Sequence, residues 1–245
     1  RMLYLPSAMR PSGEMVRQVD LAFWPTSEGD YRGFLSTEPE DESKGTVIVF
    51  HGNAGQAVDR AFYLPALDPL GYRVLLAEYP GYGGRSDKPS EAAFVADARA
   101  TLAQAYEEFG PPLYLWGESL GAGVAAAVVA NAPTPVAGLV MVTPWDSLPA
   151  VDQTHYPYFP ARWLTLDKYD SVRNLATYPG PVAVVLAERD TIVPVHHGQR
   201  QYETLSGRKQ RWLLEKAGHN SRPSDPEARW WREVTDFVAA RDEQA

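Results

Sequence analysis

Short apolar runs alternate with helical segments along most of this chain, and this alternation restricts its fold more than any other feature. Short runs rich in Val, Ile and Leu are typical of strands buried on both faces. The predicted strands are Thr46–Phe50, Arg73–Glu78, Leu113–Trp116, Val136–Val142, Pro181–Ala187 and Gln210–Leu214. The predicted helices are Ala57–Leu70, Ser90–Phe109, Leu120–Asn131, Val195–Leu205 and Pro226–Arg241. The pattern predicts an α/β fold with a mostly parallel sheet and helices on both faces.

The amino-terminal segment has a different pattern. Met15–Trp24 and Tyr31–Ser36 read as two strands joined by the turn-prone residues 25–30, which predicts an antiparallel hairpin. With this hairpin the central sheet has about eight strands. We expect one domain over residues 1–245, with residues 149–180 as a short cap-like insertion. Ligands of such sheets bind at the carboxyl ends of the strands.

A G-x-S-x-G motif follows one of the predicted strands. Leu113–Trp116 runs directly into Gly117–Glu118–Ser119–Leu120–Gly121 and then into a helix of small residues. In this strand–turn–helix context the motif is typical of a nucleophile elbow, whose strained backbone presents the Ser hydroxyl above the sheet. Glycines two positions before and after the Ser leave the space that side chains would fill. The alternative is a glycine-rich turn whose Ser caps the helix.

A nucleophilic Ser needs a general base and an orienting acid, which in this context follow in the order acid, then His. Asp190 comes just after the strand that ends at Ala187, and His219 lies in the loop after the last strand. Each residue taken alone also fits an ordinary turn or loop position. Their joint placement at strand ends predicts a catalytic triad of Ser119, Asp190 and His219. Asp146, after the strand that ends at Val142, is the reserve candidate for the acid.

Acyl transfer also requires hydrogen-bond donors for the developing oxyanion. His51–Gly55 forms a turn at the carboxyl end of Thr46–Phe50, and we predict that the backbone N–H groups of Asn53 and Leu120 form the oxyanion hole. A phosphate-binding loop is the competing interpretation, but no Gly-Lys-Ser/Thr and no G-x-G-x-x-G is present. We interpret His51 as an anchor of this turn and not as the base.

This order of motifs resembles that of α/β-hydrolase-fold serine hydrolases over residues 46–220. The matching segments are His51–Gly55, Tyr79–Gly83, Gly117–Gly121, Asp190 before Val193–Pro194, and Gly218–Asn220. More narrowly, Leu3–Ser7 and Tyr156–Pro160 resemble the Bem-type branch of single-domain hydrolases. Members of this branch commonly carry an amino-terminal membrane anchor, and an anchor ahead of Arg1 would bring the protein close to a membrane. The cellular compartment is left open.

Aromatic residues near the predicted site are candidates for a substrate pocket. They are Tyr82, Trp145, Tyr158, Phe159 and Trp163. For those that lie in the predicted cap, packing of helices on the sheet is an alternative that the sequence supports equally well. We interpret His155, His196 and His197 as surface or capping residues, because no Asp or Glu spacing makes a metal site with them. We therefore expect neither a metal nor a cofactor.

Charge narrows the range of partners. The chain has 31 acidic and 23 Lys or Arg residues, a net charge of −8 that disfavours nucleic acid. Its longest apolar run, Ala122–Ala130, is far shorter than the ~20 residues of a membrane span.

We predict a carboxylesterase-like serine hydrolase whose partner is a small-molecule ester. A peptidase or thioesterase with the same triad and a non-catalytic interaction protein remain alternatives, and the oligomeric state is left open.

Overall fold

The computed structural model describes residues 4–26, 31–37, 43–158 and 165–240. Its strands are β1 (Leu5–Pro6), β2 (Leu21–Trp24), β3 (Gly33–Ser36), β4 (Thr46–Phe50), β5 (Ala54–Gly55), β6 (Arg73–Ala77), β7 (Leu113–Glu118), β8 (Gly138–Val142), β9 (Val182–Ala187) and β10 (Lys209–Leu214). Its α-helices are α1 (Gly13–Arg17), α2 (Leu64–Leu67), α3 (Glu91–Phe109), α4 (Leu120–Val129), α5 (Leu148–His155), α6 (Ser171–Leu175), α7 (Val195–Thr204) and α8 (Arg229–Ala239). Two 3₁₀ helices, Ala57–Tyr63 and Asp68–Leu70, flank α2.

The central sheet has eight strands in the order β10-β9-β8-β7-β4-β6-β3-β2. Strands β4 and β6 to β10 pair in parallel, whereas β3 joins β6 and β2 in antiparallel register. A separate small sheet pairs β1 with β5. The predicted α/β fold with a mostly parallel sheet is confirmed, and the predicted amino-terminal strands form the antiparallel pair β2–β3.

Two local predictions were wrong. Met15 to Arg17, expected to be extended, are helical because the Ser12 side chain accepts the N–H of Met15 and caps α1. The single helix expected over 57–70 is divided into α2 and two 3₁₀ helices. Pro65 and Pro69 each stand at the start of a new segment, because proline lacks the N–H that would continue the preceding helix.

Side chains that alternate along the strands build a hydrophobic core on each face of the sheet. Leu115 of β7 packs in the core formed with α3 and α4, and its neighbour Trp116 packs in the core formed with α8. All residues of α4 are buried. The helix after the G-x-S-x-G motif is therefore fixed in the interior, and β7 lies between β4 and β8 in the middle of the sheet. Among the helices of the described ranges, none is both long enough and apolar enough to cross a bilayer.

Candidate active site

The turn between β7 and α4 has the strained geometry that the motif predicts. Ser119 has φ 51° and ψ −111°, a region that residues with a side chain rarely adopt. A Cβ atom added at Gly121 would lie 1.9 Å from the Phe50 carbonyl oxygen, and one at Gly117 would lie 2.4 Å from the Gly121 carbonyl oxygen. Only glycine fits these two positions, because α4 lies this close to β4 at Gly121 and to β7 at Gly117.

The structure brings Ser119, His219 and Asp190 together at the carboxyl ends of β7, β10 and β9. His219 Nε2 lies 3.0 Å from Ser119 Oγ, and His219 Nδ1 lies 2.7 Å from Asp190 Oδ2. Because an ionised carboxylate only accepts hydrogen bonds, Nδ1 carries the proton and Nε2 accepts from the Ser hydroxyl. Asp190 Oδ1 accepts the N–H groups of Ile192 and Val193 at 2.9 and 2.8 Å. These bonds hold the carboxylate in line with the imidazole.

Asp146, the alternative to Asp190 as the acid, is hydrogen-bonded to a different histidine. Its Oδ1 lies 2.8 Å from Nδ1 of His197, and its Oδ2 lies 3.1 Å from Arg200. Burial raises the pKa of Asp146, but hydrogen bonds from His197 and the Ser147 N–H, with the charges of His197 and Arg200, hold it below its ordinary value. Contrary to the expectation of a surface position, His197 is buried, because it lies on the face of α7 that covers Asp146. Its Nε2 also lies 2.9 Å from Thr154 Oγ1 on α5.

Asn53 and Leu120, the predicted oxyanion donors, both line the cavity in front of Ser119. Leu120 is the first residue of α4, where a backbone N–H has no partner within its own helix. The Asn53 carbonyl accepts hydrogen bonds from the Leu5 N–H at 3.0 Å and from the Tyr82 hydroxyl at 2.7 Å. These bonds attach the turn to the amino-terminal strand β1 and to Tyr82. His51 anchors the first residue of the turn, since its Nε2 lies 3.0 Å from Glu78 Oε1.

The cavity has a volume of about 420 Å³ and opens over Ser119 and His219. An apolar part of its wall consists of Trp145, Leu148, Val151, Ile192 and Val193. Of the predicted pocket residues, Trp145 therefore lies in the wall, whereas Phe159 and Trp163 are outside the described residues.

Two other predicted pocket residues do not line the cavity. Tyr82 is buried beneath the turn 51–55, where its hydroxyl donates to the Asn53 carbonyl. Tyr158 is fully exposed. The Gln153 amide bonds to the carbonyls of Tyr156 and Pro157 just after α5 and closes a turn from which Tyr158 points into solvent.

A buried carboxylate next to Ser119 was not anticipated from the sequence. Glu118 Oε1 accepts from the Tyr63 hydroxyl at 2.7 Å and from Arg222 Nη2 at 2.9 Å, and Oε2 accepts from Arg60 Nε at 2.9 Å. Burial raises the pKa of Glu118, but the charges of Arg222 and Arg60 and these hydrogen bonds hold it below its ordinary value. Arg222 also donates to the His219 carbonyl. The carboxylate of Glu118, next to Ser119, thus connects the loop of His219 with the 3₁₀ helix that follows the turn 51–55. The only sign of this network in the sequence is an acidic residue at the end of an otherwise apolar strand.

Comparison with known proteins places this geometry in a family. Residues 45–178 match the model of the α/β hydrolase fold family. The chain is 34% identical to "Uncharacterized protein Rv2307c" of Mycobacterium tuberculosis over 97% of this chain and 85% of the relative. It is 30% identical to "Lysophosphatidylserine lipase ABHD12" of Danio rerio over 73% of this chain, which spans 50% of that relative.

Two solved structures share the fold at low sequence identity. Est1E from Butyrivibrio proteoclasticus, solved with ferulic acid, aligns with a TM-score of 0.73 at 16% identity over 89% of this chain and 98% of that chain. The Pyrococcus furiosus esterase Pf2001 aligns with a TM-score of 0.70 at 18% identity over 96% of this chain and 97% of that chain. The match of the family model over more than half of the chain shows that this chain belongs to the α/β-hydrolase fold family of hydrolases.

Proposed function

We propose that the protein is a serine hydrolase that cleaves carboxylic esters, with Ser119 as nucleophile, His219 as general base and Asp190 as the acid that orients it. The observation that carries this proposal is the hydrogen-bonded series from Ser119 Oγ through His219 to Asp190 at the floor of an open cavity. A binding module that used the same fold would need none of these three side chains in this arrangement.

In the first half-reaction, His219 Nε2 takes the proton of Ser119 Oγ as that oxygen attacks the ester carbonyl. The carbonyl oxygen becomes an anion in the tetrahedral intermediate, and the N–H groups of Asn53 and Leu120 donate to it. The intermediate collapses when the C–O bond to the alcohol breaks, and His219 gives its proton to the departing alkoxide. An acyl group remains on Ser119.

In the second half-reaction, water takes the place of the alcohol. His219 Nε2 removes one proton from this water as its oxygen attacks the acyl carbon, and the same proton returns to Ser119 Oγ when the acid leaves. Throughout, Asp190 accepts the Nδ1 proton of His219 and stabilises the imidazolium that forms in each step. The Ile192 and Val193 amides keep Asp190 in place.

Two observations support an acyl ester as the substrate. The wall formed by Leu148, Val151 and Ile192 is apolar and suits an acyl chain. Relatives of this chain are described as a lipase and its structural neighbours as esterases.

The test is covalent labelling by a fluorophosphonate, followed by hydrolysis of p-nitrophenyl esters of increasing chain length. We expect labelling of the unmodified protein and of Ser86→Ala, an exposed serine that serves as the matched control, and no labelling of Ser119→Ala. Matched thioester and amide substrates with the same acyl group compare the three leaving groups directly. Labelling of Ser119→Ala at the rate of the unmodified protein would refute the proposal.

A further inference from the structure

A second cavity adjoins the one over Ser119. It has a volume of about 340 Å³, and Arg60, Glu118, Asn220 and Arg222 line both cavities. The rest of its wall is aromatic and polar, with Tyr63, Ser224, Trp230 and Trp231 among its residues. The apolar residues Leu148, Val151 and Ile192 line only the first cavity. The two arginines thus stand between the nucleophile and a cavity of different chemical character.

Both arginines line the cavity over Ser119 and His219. A single methyl group placed at Gly52 would lie 3.8 Å from Arg60 Nη2 and 3.9 Å from Ser119 Cβ. Arg222 donates to the carbonyl of His219, so it borders the base. A charged group on the alcohol part of a bound ester would therefore share the cavity with these two side chains.

The charges of the second cavity do not balance. It has two guanidinium groups and one carboxylate, Glu118, which is 3% exposed, whereas the side chains of Arg60 and Arg222 are 19% and 17% exposed. Asp59 also acts on Arg60, but its carboxylate accepts the Gln56 N–H and lines neither cavity. Asp59 offsets part of the charge of Arg60 from outside the cavity, but among the residues that line this cavity two guanidinium groups face a single carboxylate.

Arg60 also has hydrogen-bonding capacity to spare. Its Nε is used by Glu118, and its Nη2 makes only a long 3.5 Å contact with the Ala54 carbonyl. Within the described ranges we find no acceptor for its Nη1. The first cavity contains one further carboxylate, Asp152 on α5, which accepts the Thr165 hydroxyl. Asp152 does not line the second cavity, so it does not compensate the arginines there.

We propose that Arg60 and Arg222 form a subsite for a small oxyanion, a phosphate or a carboxylate, carried by the alcohol part of the ester. This inference rests on the proposed ester hydrolysis at Ser119. The apolar wall takes the acyl chain, and the arginines take the charged end of the leaving group by charge-assisted hydrogen bonds. Substrates are then anionic esters, and their charge is recognised close to the bond that breaks.

The alternative role for the two arginines is to hold Glu118 and nothing more, and matched esters separate the two roles. The substrates are 1-butyrylglycerol, 1-butyrylglycerol 3-phosphate and the 3-butyryl ester of glyceric acid, which share an acyl group and differ in the charge on the alcohol. For each enzyme, the ratio of kcat/KM for a charged ester to kcat/KM for the neutral one is measured. This ratio is independent of the fraction of active enzyme, so partial misfolding of a variant does not affect it.

We expect a ratio above one for at least one charged ester, and the larger ratio identifies phosphate or carboxylate as the preferred anion. Arg60→Gln should lower that ratio about 10- to 100-fold, the range for a hydrogen bond to a charged group. Arg60→Lys, which keeps the charge, should retain most of the kcat/KM ratio. Arg229→Gln, which removes an exposed charge of α8, is the matched control and should leave it unchanged. An equal fall for charged and neutral esters in Arg60→Gln, with the ratio preserved, would overturn the subsite.

Binding without catalysis is measured in Ser119→Ala. Inorganic phosphate or acetate should raise its Tm above the value in sodium chloride of equal ionic strength, and the rise should vanish in the double variant Ser119→Ala/Arg60→Gln. No rise with either anion in Ser119→Ala would overturn the subsite. If none of the three esters is hydrolysed while the Arg60-dependent rise is present, the subsite is supported and the proposed esterase function fails.

Discussion

Replacing Glu118 by Gln keeps the shape of the side chain but removes the negative charge that Arg60, Tyr63 and Arg222 share. The amide nitrogen of Gln must face one of these donors, because all the partners of Glu118 donate to it. Removing one member of a buried ion pair costs about 3–5 kcal/mol. Because the two arginines are partly hydrated, we expect the lower end, a loss of about 3 kcal/mol of unfolding free energy.

Urea denaturation and thermal unfolding measure this loss. For a chain of this size each kcal/mol moves Tm by roughly 2–4 °C, so Glu118→Gln should lower Tm by roughly 6–12 °C. Glu233→Gln is the matched control, because Glu233 and its partner Arg229 are 47% and 92% exposed and lie 3.7 Å apart. An exposed pair of this kind contributes less than about 0.5 kcal/mol.

The pH dependence of the stability loss in Glu118→Gln tests whether that loss is electrostatic in origin. Since folding lowers the pKa of Glu118, its contribution to stability is complete above the ordinary value of 4.5 and is lost as the pH falls below it. The difference in unfolding free energy between the unmodified protein and Glu118→Gln should therefore shrink in acid. A loss below about 1 kcal/mol at neutral pH, or a difference that stays constant down to about pH 3, would refute the reasoning.

Four further outcomes are expected. Ser119→Ala should lower kcat for p-nitrophenyl esters by about 10⁶ with unchanged circular dichroism, and residual turnover near that of the unmodified protein would exclude Ser119 as nucleophile. Asp190→Asn should lower kcat by about 10⁴, whereas Asp146→Asn should lower it less than about tenfold; the reverse order would make Asp146 the acid. Gly121→Ala brings Cβ within 1.9 Å of the Phe50 oxygen and should destabilise the fold by about 4 kcal/mol or more in urea titrations, so a stable variant would contradict the close approach of α4 and β4. The cavity of about 420 Å³ favours short acyl chains, and a rise in kcat/KM that continues beyond about ten carbons, at ~0.8 kcal/mol per CH₂, would show that longer chains are bound.

The positions of Ser119, Asp190 and His219 could be predicted because each follows a strand that is recognisable by itself. The apolar runs before Ser119, Asp190 and His219 identify three parallel strands, and the carboxyl ends of such strands meet at one edge of the sheet. No knowledge of the packing was needed. The helix α1 shows the limit of this reasoning, because the strand-like pattern after Met15 is overruled by a single hydrogen bond that the Met15 N–H donates to the Ser12 side chain.

The network around Glu118 could not be predicted, because its partners are distant in sequence. Arg60 and Arg222 lie 58 and 104 residues from Glu118, and no local pattern specifies which charges a buried carboxylate meets. The same applies to His197, whose burial depends on its contact with Asp146. For Tyr158, aromatic character alone indicated a pocket, but the direction of its side chain depends on the turn at the end of α5.

His219, the proposed base, follows the strand at the edge of the described sheet, whereas Ser119, the proposed nucleophile, follows a strand at its centre. β10 pairs only with β9 in this sheet, and its Gln210 and Arg211 side chains are exposed. An edge strand with few buried side chains opens by local fluctuations at a lower free energy than a central strand. Heating should therefore displace His219 reversibly before the sheet melts, and amide hydrogen exchange should be faster in β10 than in β7. Residues that reinforce β10 would then raise the working temperature of the protein without any change in its core.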